Sequence, residues 1–166
     1  MNNESSFKNI LLVEDDPRDV ELTLAALAEH NLANHVVVLN DGEQALDYLY
    51  HRGKFALRPG GQPVVVVLDL KMPRVSGLEV LASIKSDAAL KTIPIVVLTS
   101  SREEPDLLQC YQLGVNAYVV KPVDFMDFMS AVKSLGVFWA AVNEPPPRRP
   151  ARPPAPETPA ATQEVA

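Results

Sequence analysis

The sequence predicts an α/β fold, a doubly wound sheet of five parallel strands with five helices in three layers. Two patterns predict it. Short β-branched runs alternate with longer helical patterns, the texture of a βα-repeating chain. The short runs are apolar at nearly every position instead of every second one, so both faces of the sheet must be covered, which favours parallel strands. About 140 residues remain once a proline-rich end is set aside, a size suited to one core.

The strand runs fall at 9–13, 35–39, 64–68, 93–98 and 117–120. Pro94 has no N–H for a ladder and belongs at the start of its strand. Between the runs, 19–30, 42–51, 77–86, 103–113 and 124–142 read as helices. Ser76-Gly-Leu-Glu79 has the spacing of a capping box, and Asp41, Ser101 and Asp124 are expected caps for the second, fourth and fifth helices. Asp16 is expected to cap the helix that Pro17 opens.

Composition sets the outer limits. With 47% hydrophobic and 22% charged residues in 166, the chain resembles one ordinary globular domain. No apolar run in the sequence approaches the roughly 18 residues of a membrane span. The first eight residues are polar where a signal peptide is basic and then apolar. A cytoplasmic protein without membrane contact is therefore expected. One cysteine, Cys110, cannot form an internal disulfide, and three scattered histidines supply no zinc cluster. Residues 144–166 hold three acids and three arginines, so the net charge of −6 resides on 1–143. An acidic domain is a poor ligand for a phosphate backbone, and no direct nucleic-acid binding is expected. Eight of the fifteen prolines lie between Pro145 and Pro159. The expected organisation is a globular domain over 1–143 and a disordered Pro/Ala-rich tail over 144–166.

In an open parallel sheet ligands sit at the carboxyl ends of the strands. There the sequence turns polar: Glu14-Asp15-Asp16, Asp69, Thr99-Ser100-Ser101 and Lys121-Pro122. Crowded carboxylates repel unless a positive charge intervenes, and oxygen donors with little nitrogen or sulfur suit Mg²⁺. A metal, an ammonium and a hydroxyl around one protruding aspartate are the needs of phosphoryl transfer to a carboxylate.

Leu11-Leu-Val-Glu-Asp-Asp16, Leu68-Asp-Leu-Lys-Met-Pro73 followed by Gly77, Thr99-Ser100, and Tyr118-Val-Val-Lys-Pro122 resemble the signature segments of bacterial response-regulator receiver domains, chemotaxis-regulator-like and flavodoxin-like in fold. The resemblance covers about residues 7 to 143. It implies that Asp69 accepts a phosphoryl group from a phosphohistidine on a sensor histidine kinase, with Mg²⁺ held by Glu14, Asp15, Asp69 and the backbone carbonyl of Lys71. It also implies that Thr99 and Lys121 contact the phosphoryl group, that Tyr118 switches inward as Thr99 moves, and that the Lys121–Pro122 bond is cis. Such a protein is no enzyme towards other substrates; it catalyses only its own phosphorylation and dephosphorylation. Lys71 and Ser101 occupy places that in this family influence the phosphoryl lifetime.

Each residue has a plainer alternative. Asp69 and Thr99 are also good turn and helix caps, Tyr118 a sheet-edge aromatic, and Cys110 a buried thiol. Two other functions compete: a pseudo-receiver that binds partners without phosphorylation, and a haloacid-dehalogenase-type phosphohydrolase. The latter places its nucleophile after the first strand with a second Asp two residues on, whereas Asp15 is followed by Pro17 at that spacing.

The last helical segment is apolar over a broad face, with Phe125, Phe128, Phe138 and Trp139 among its members. At about 1.5 Å per residue it overruns the strands beneath it. A symmetric homodimer through these four aromatics is the expected use. The long connection Arg52-Gly-Lys-Phe-Ala-Leu-Arg-Pro-Gly-Gly-Gln-Pro63 and the ending Leu135-Gly-Val-Phe-Trp139 resemble stand-alone receivers paired with phytochrome photoreceptor kinases. That resemblance implies a bacteriophytochrome as the kinase.

Overall fold

Five parallel strands, β1 (Ile10–Val13), β2 (Val36–Leu39), β3 (Val65–Leu68), β4 (Ile95–Thr99) and β5 (Ala117–Val120), line up in the order β2-β1-β3-β4-β5. The computed structural model describes residues 9–147, so most of the expected 144–166 tail lies outside the described residues. Ile10 pairs with Val36 on one side and Val65 on the other, and Val96 with Ala117. This register brings the ends of β1, β3, β4 and β5 to a common edge.

Alternation sorts the strand residues into two cores. Leu11, Val13, Val66, Leu68, Ile95 and Val97 pack under α2 (Gly42–Leu49), α3 (Gly77–Ser86) and α4 (Glu104–Leu113). Ile10, Val65, Val96 and Leu98 pack under α1 (Pro17–Ala28) and α5 (Phe125–Val137). Both faces are thus buried, which is why the sequence shows no period of two. Burial of each such Leu or Ile contributes about 2 kcal/mol.

The caps explain the boundaries. Asp16 accepts from Arg18 N at 2.8 Å and starts α1 at Pro17, two residues earlier than the pattern indicated. Asp41, the Ser76–Glu79 box and Asp124 cap α2, α3 and α5 as expected. Ser101 does not cap α4. The helix opens after Glu103, which makes no side-chain cap bond; the Ser101 hydroxyl donates to Asp106 at 2.6 Å, and its oxygen accepts from Glu103 N at 3.4 Å, ahead of the first turn. Strand β4 begins at Ile95, just past Pro94, and Ile95 N donates to the Asn116 side chain at 2.8 Å.

The long connection before β3 is anchored. Arg58 lies 3.9 Å over the Tyr48 ring and donates to Tyr48 O at 2.7 Å and to Gly61 O at 3.1 Å. Beyond Val137 a π turn, Phe138–Val142, extends α5. Together they form a helix Phe125–Val142 of 18 residues with mean hydropathy 1.3, which the polar breaks at Asp127 and Lys133 hid from a search for unbroken runs. By length and composition alone it matches a membrane span; here Phe128, Val132 and Ala140 are buried against the sheet and α1. Phe128 is 4% exposed, a correction to its place among the surface aromatics, because the helix capped by Asp124 turns this side chain into the core shared with α1 and the sheet. Phe125 and Phe138 stay about half exposed, and Trp139 packs edge-on against Phe138, ring centres 5.0 Å apart.

Candidate phosphoryl-acceptor site

The register places Glu14, Asp69, Thr99 and Lys121 side by side. Asp69 N donates to Val13 O at 3.0 Å and Lys121 N to Thr99 O at 2.7 Å, so each residue is fixed by its neighbour's last strand carbonyl. The described peptide bonds include no cis bond, so Lys121–Pro122 is trans, contrary to expectation, and with that trans bond the ammonium still reaches Glu14, Asp19 and Asp69. Gly77 permits the crowding on the other side. A Cβ there would sit 2.1 Å from the Asp69 carbonyl oxygen, closer than any side chain tolerates.

The side chains converge. Lys121 Nζ lies 2.5 Å from Glu14 Oε2, 2.6 Å from Asp19 Oδ2 and 3.3 Å from Asp69 Oδ2. One oxygen from each of Glu14, Asp15 and Asp69 falls within 4.8 Å of the others. Glu14, Asp69 and Lys121 are buried, whereas Asp15 is exposed. Burial, reinforced by the charge of Asp69, pushes the Glu14 carboxyl up to about 7 in spite of the Lys121 bond. Burial works against the Lys121 ammonium as well. Hydrogen bonds to Asp19 and Glu14 and the charge of Asp69 outweigh it and hold lysine above its usual range. The two shifts differ in origin: desolvation dominates at Glu14, whereas the surrounding carboxylates dominate at Lys121. Hard oxygen donors with surplus negative charge fit a divalent cation such as Mg²⁺.

Around this centre lies a second layer. Thr99 is fully buried, and its hydroxyl accepts from Ser101 N at 3.3 Å. Tyr118 donates its phenol hydrogen to Ser101 O at 3.0 Å. Lys71, whose amide lies 3.4 Å from Asp69 Oδ1, extends its ammonium to Asp106, 3.2 Å away. Cys110 is buried, and desolvation pushes its thiol up to about 11.

Five of the sequence-derived residues therefore stand together: Glu14, Asp15, Asp69, Thr99 and Lys121. Tyr118 and Lys71 flank them, while Phe125 lies apart on α5 and Phe138 and Trp139 on the π turn that extends it. Asp16 turns to its capping role. Sequence reading missed Asp19 and Asp106. Each sits in the first turn of a helix that starts from the strand-end edge, and helical phase relative to Asp16 and Ser101 was the available signal.

Residues 10–133 match the response regulator receiver domain model. The response regulator Rcp1 of Synechocystis sp. is 38% identical over 132 residues, 80% of this chain and 88% of that protein. A solved Mn²⁺-bound form of Rcp1 superposes with a TM-score of 0.79 at 36% identity, over 84% of this chain and 99% of its own. The phosphorylated cyanobacterial phytochrome response regulator RcpA also reaches 0.79, with 39% identity over the same shares. The bacteriophytochrome response regulator AtBRR is 60% identical over 83% of this chain and 99% of its own, with a TM-score of 0.66. Strand-end acids, buried lysine, sheet order and sequence matches agree, and the chain belongs to the response regulator receiver domain family, as a phosphoryl-accepting receiver related to phytochrome-associated regulators.

Proposed function

We propose that Asp69 is the phosphoacceptor and that a sensor histidine kinase of the phytochrome class is the donor. The carrying observation is the Asp69 carboxylate, bracketed by the Lys121 ammonium at 3.3 Å and by two further acids whose oxygens lie within 4.8 Å. An Asp69 oxygen attacks phosphorus of the kinase phosphohistidine. The O–P bond forms as the P–N bond breaks, and the imidazole leaves with the electron pair. Lys121 pairs with the charge that the phosphoryl oxygens bring, and the Thr99 hydroxyl donates to one of them. Glu14, Asp15, Asp69 and the Lys71 carbonyl would hold Mg²⁺, which when bound supplies the positive charge that offsets crowded oxygens. Tyr118 would then report the change of Thr99 through their shared neighbour, Ser101.

The kinase class is supported by the likeness to RcpA and AtBRR, a phytochrome and a bacteriophytochrome response regulator. Such a partner would place the protein in the cytoplasm. Output would pass through the surface of α5 and its π turn, where Phe125, Phe138 and the edge of Trp139 form the two-fold face of a homodimer. The domain reading of 1–143 with a separate tail belongs to the same proposal.

Incubation with acetyl phosphate and Mg²⁺, followed by intact mass measurement, tests the reaction. Wild type gains one phosphoryl group and Asp69→Asn gains none. Rapid multiple-turnover release of phosphate would instead indicate a hydrolase, and an unlabelled wild type a pseudo-receiver.

A further inference from the structure

Lys121 has more acid around it than the transfer to Asp69 uses. Its shortest contacts are to Glu14 at 2.5 Å and Asp19 at 2.6 Å, and the contact to Asp69 is longer, 3.3 Å. Asp19 belongs neither to the trio of clustered acids nor to a strand end. It projects from the first turn of α1, whose phase is set by the Asp16 cap and Pro17. Its side chain is 26% exposed against 7% for Lys121, so this pair lies at the mouth of the site.

An ammonium has three hydrogens to donate. In the resting protein three carboxylates take them, so a phosphoryl oxygen on Asp69 gains a short bond only if one of the present partners is released. Glu14 is the less releasable of the two close ones. It is buried, and its other oxygen accepts from Asp16 N at 3.0 Å. Asp19, at the rim, is rehydrated more readily on release.

We propose that Asp19 is a positioning residue that parks Lys121: it draws the ammonium towards α1 in the resting protein and surrenders it when Asp69 carries a phosphoryl group. The assignment rests on the roles of Asp69 and Lys121 proposed above. An interaction made only in the resting state opposes the phosphoryl state by its full worth. Asp19 therefore lowers the affinity of the site for a phosphoryl group, and does so through Lys121.

Beryllofluoride, titrated into the full chain at saturating Mg²⁺, is the probe. Loss of one partly exposed ion pair corresponds to an about fivefold change, so Asp19→Asn should bind beryllofluoride about five times more tightly than wild type. Asp19→Glu should return towards the wild-type value. In Lys121→Met or Lys121→Gln backgrounds, Asp19→Asn should have no effect of its own. Unchanged or weaker binding by Asp19→Asn overturns the proposal. So does equal tightening with and without Lys121, which would reduce Asp19 to one negative charge near an anion. Acetyl phosphate labelling of wild type and Asp69→Asn is scored separately. Failure there withdraws the phosphoacceptor reading, whereas normal labelling with Asp19 and Lys121 uncoupled withdraws only the parking role.

Discussion

Lys71 Nζ lies 3.2 Å from Asp106 Oδ2, a bridge from the loop after the acceptor aspartate to the first turn of α4. The same carboxylate oxygen accepts the Ser101 hydroxyl at 2.6 Å. The loops after β3 and β4 are therefore tied to one point on one helix, whose Asp106 also sits where the helix dipole favours an anion.

Asp106→Asn should destabilise the protein by about 1 to 2 kcal/mol at pH 7, through a charged hydrogen bond and a screened ion pair. Hydrogen bonding to Ser101 and the charge of Lys71 hold the Asp106 carboxyl below its ordinary value of 3.8. A carboxyl depressed in the folded state stabilises above its unfolded value and stops doing so as pH falls through the folded one. Urea midpoints of wild type and variant should thus stay apart above pH 4 and converge only below about 3.8. A constant gap at low pH would contradict the assignment.

Glu14 supplies a pH dependence of opposite sense. Its folded carboxyl titrates at about 7, above the ordinary 4.5. The metal-free protein therefore loses stability as pH rises from 4.5 to about 7, where the folded state holds a proton that the unfolded state has released. Mg²⁺ must displace that proton. Its affinity should rise with pH up to about 7 and then level off, with proton uptake by buffer visible in titration calorimetry at pH 6. Glu14→Gln should flatten the profile.

Gly77→Ala adds a methyl group where the Asp69 carbonyl oxygen already stands, 2.1 Å from the ideal Cβ position. Either α3 or the acceptor loop must retreat. Overpacking of this kind costs about 1 to 3 kcal/mol. A melting temperature several degrees lower together with lost acetyl phosphate labelling is the expected result; wild-type labelling would show that the close approach is dispensable.

The α5 face makes a prediction about assembly. Phe125 and Phe138 are 54% and 47% exposed, and Met126 and Val142 widen the apolar area. Sedimentation should give a dimer for wild type and a monomer for Phe138→Ala/Trp139→Ala. Phe125→Ala, which leaves the half-buried Trp139 in place, should weaken the dimer without affecting the fold. A wild type that stays monomeric at micromolar concentration, with or without acetyl phosphate, defeats the interface.

Much of this was legible before folding. Continuous apolar runs flag strands buried on both faces, and polar residues immediately after them locate the reactive edge, because strand direction and sheet order follow from βα alternation. Glu14, Asp69, Thr99 and Lys121 are strand-end residues, so their convergence is a local property repeated four times. Helix residues were harder. Whether Asp19 turns to Lys121, Asp106 to Lys71, or Phe128 to the core depends on a phase of about 100° per residue counted from a cap, and a boundary shifted by two residues rotates it onto another face. Ser101 shows the same dependence on a boundary: the cap position falls at Glu103, two residues beyond the expected cap, so the Ser101 oxygen accepts from Glu103 N and its hydrogen goes to Asp106.

Sequence alone determined the fold class, the family and the identity of the acids, hydroxyl and ammonium at the carboxyl edge, since these depend on periodicity and on residues adjacent to strands. Tertiary structure decided how one ammonium is divided among Glu14, Asp19 and Asp69, and which aromatics of the last helix stay exposed. The division of the ammonium depends on distances between segments 52 to 107 residues apart, where a difference of 0.7 Å between the Asp19 and Asp69 contacts, 2.6 against 3.3 Å, selects the partner.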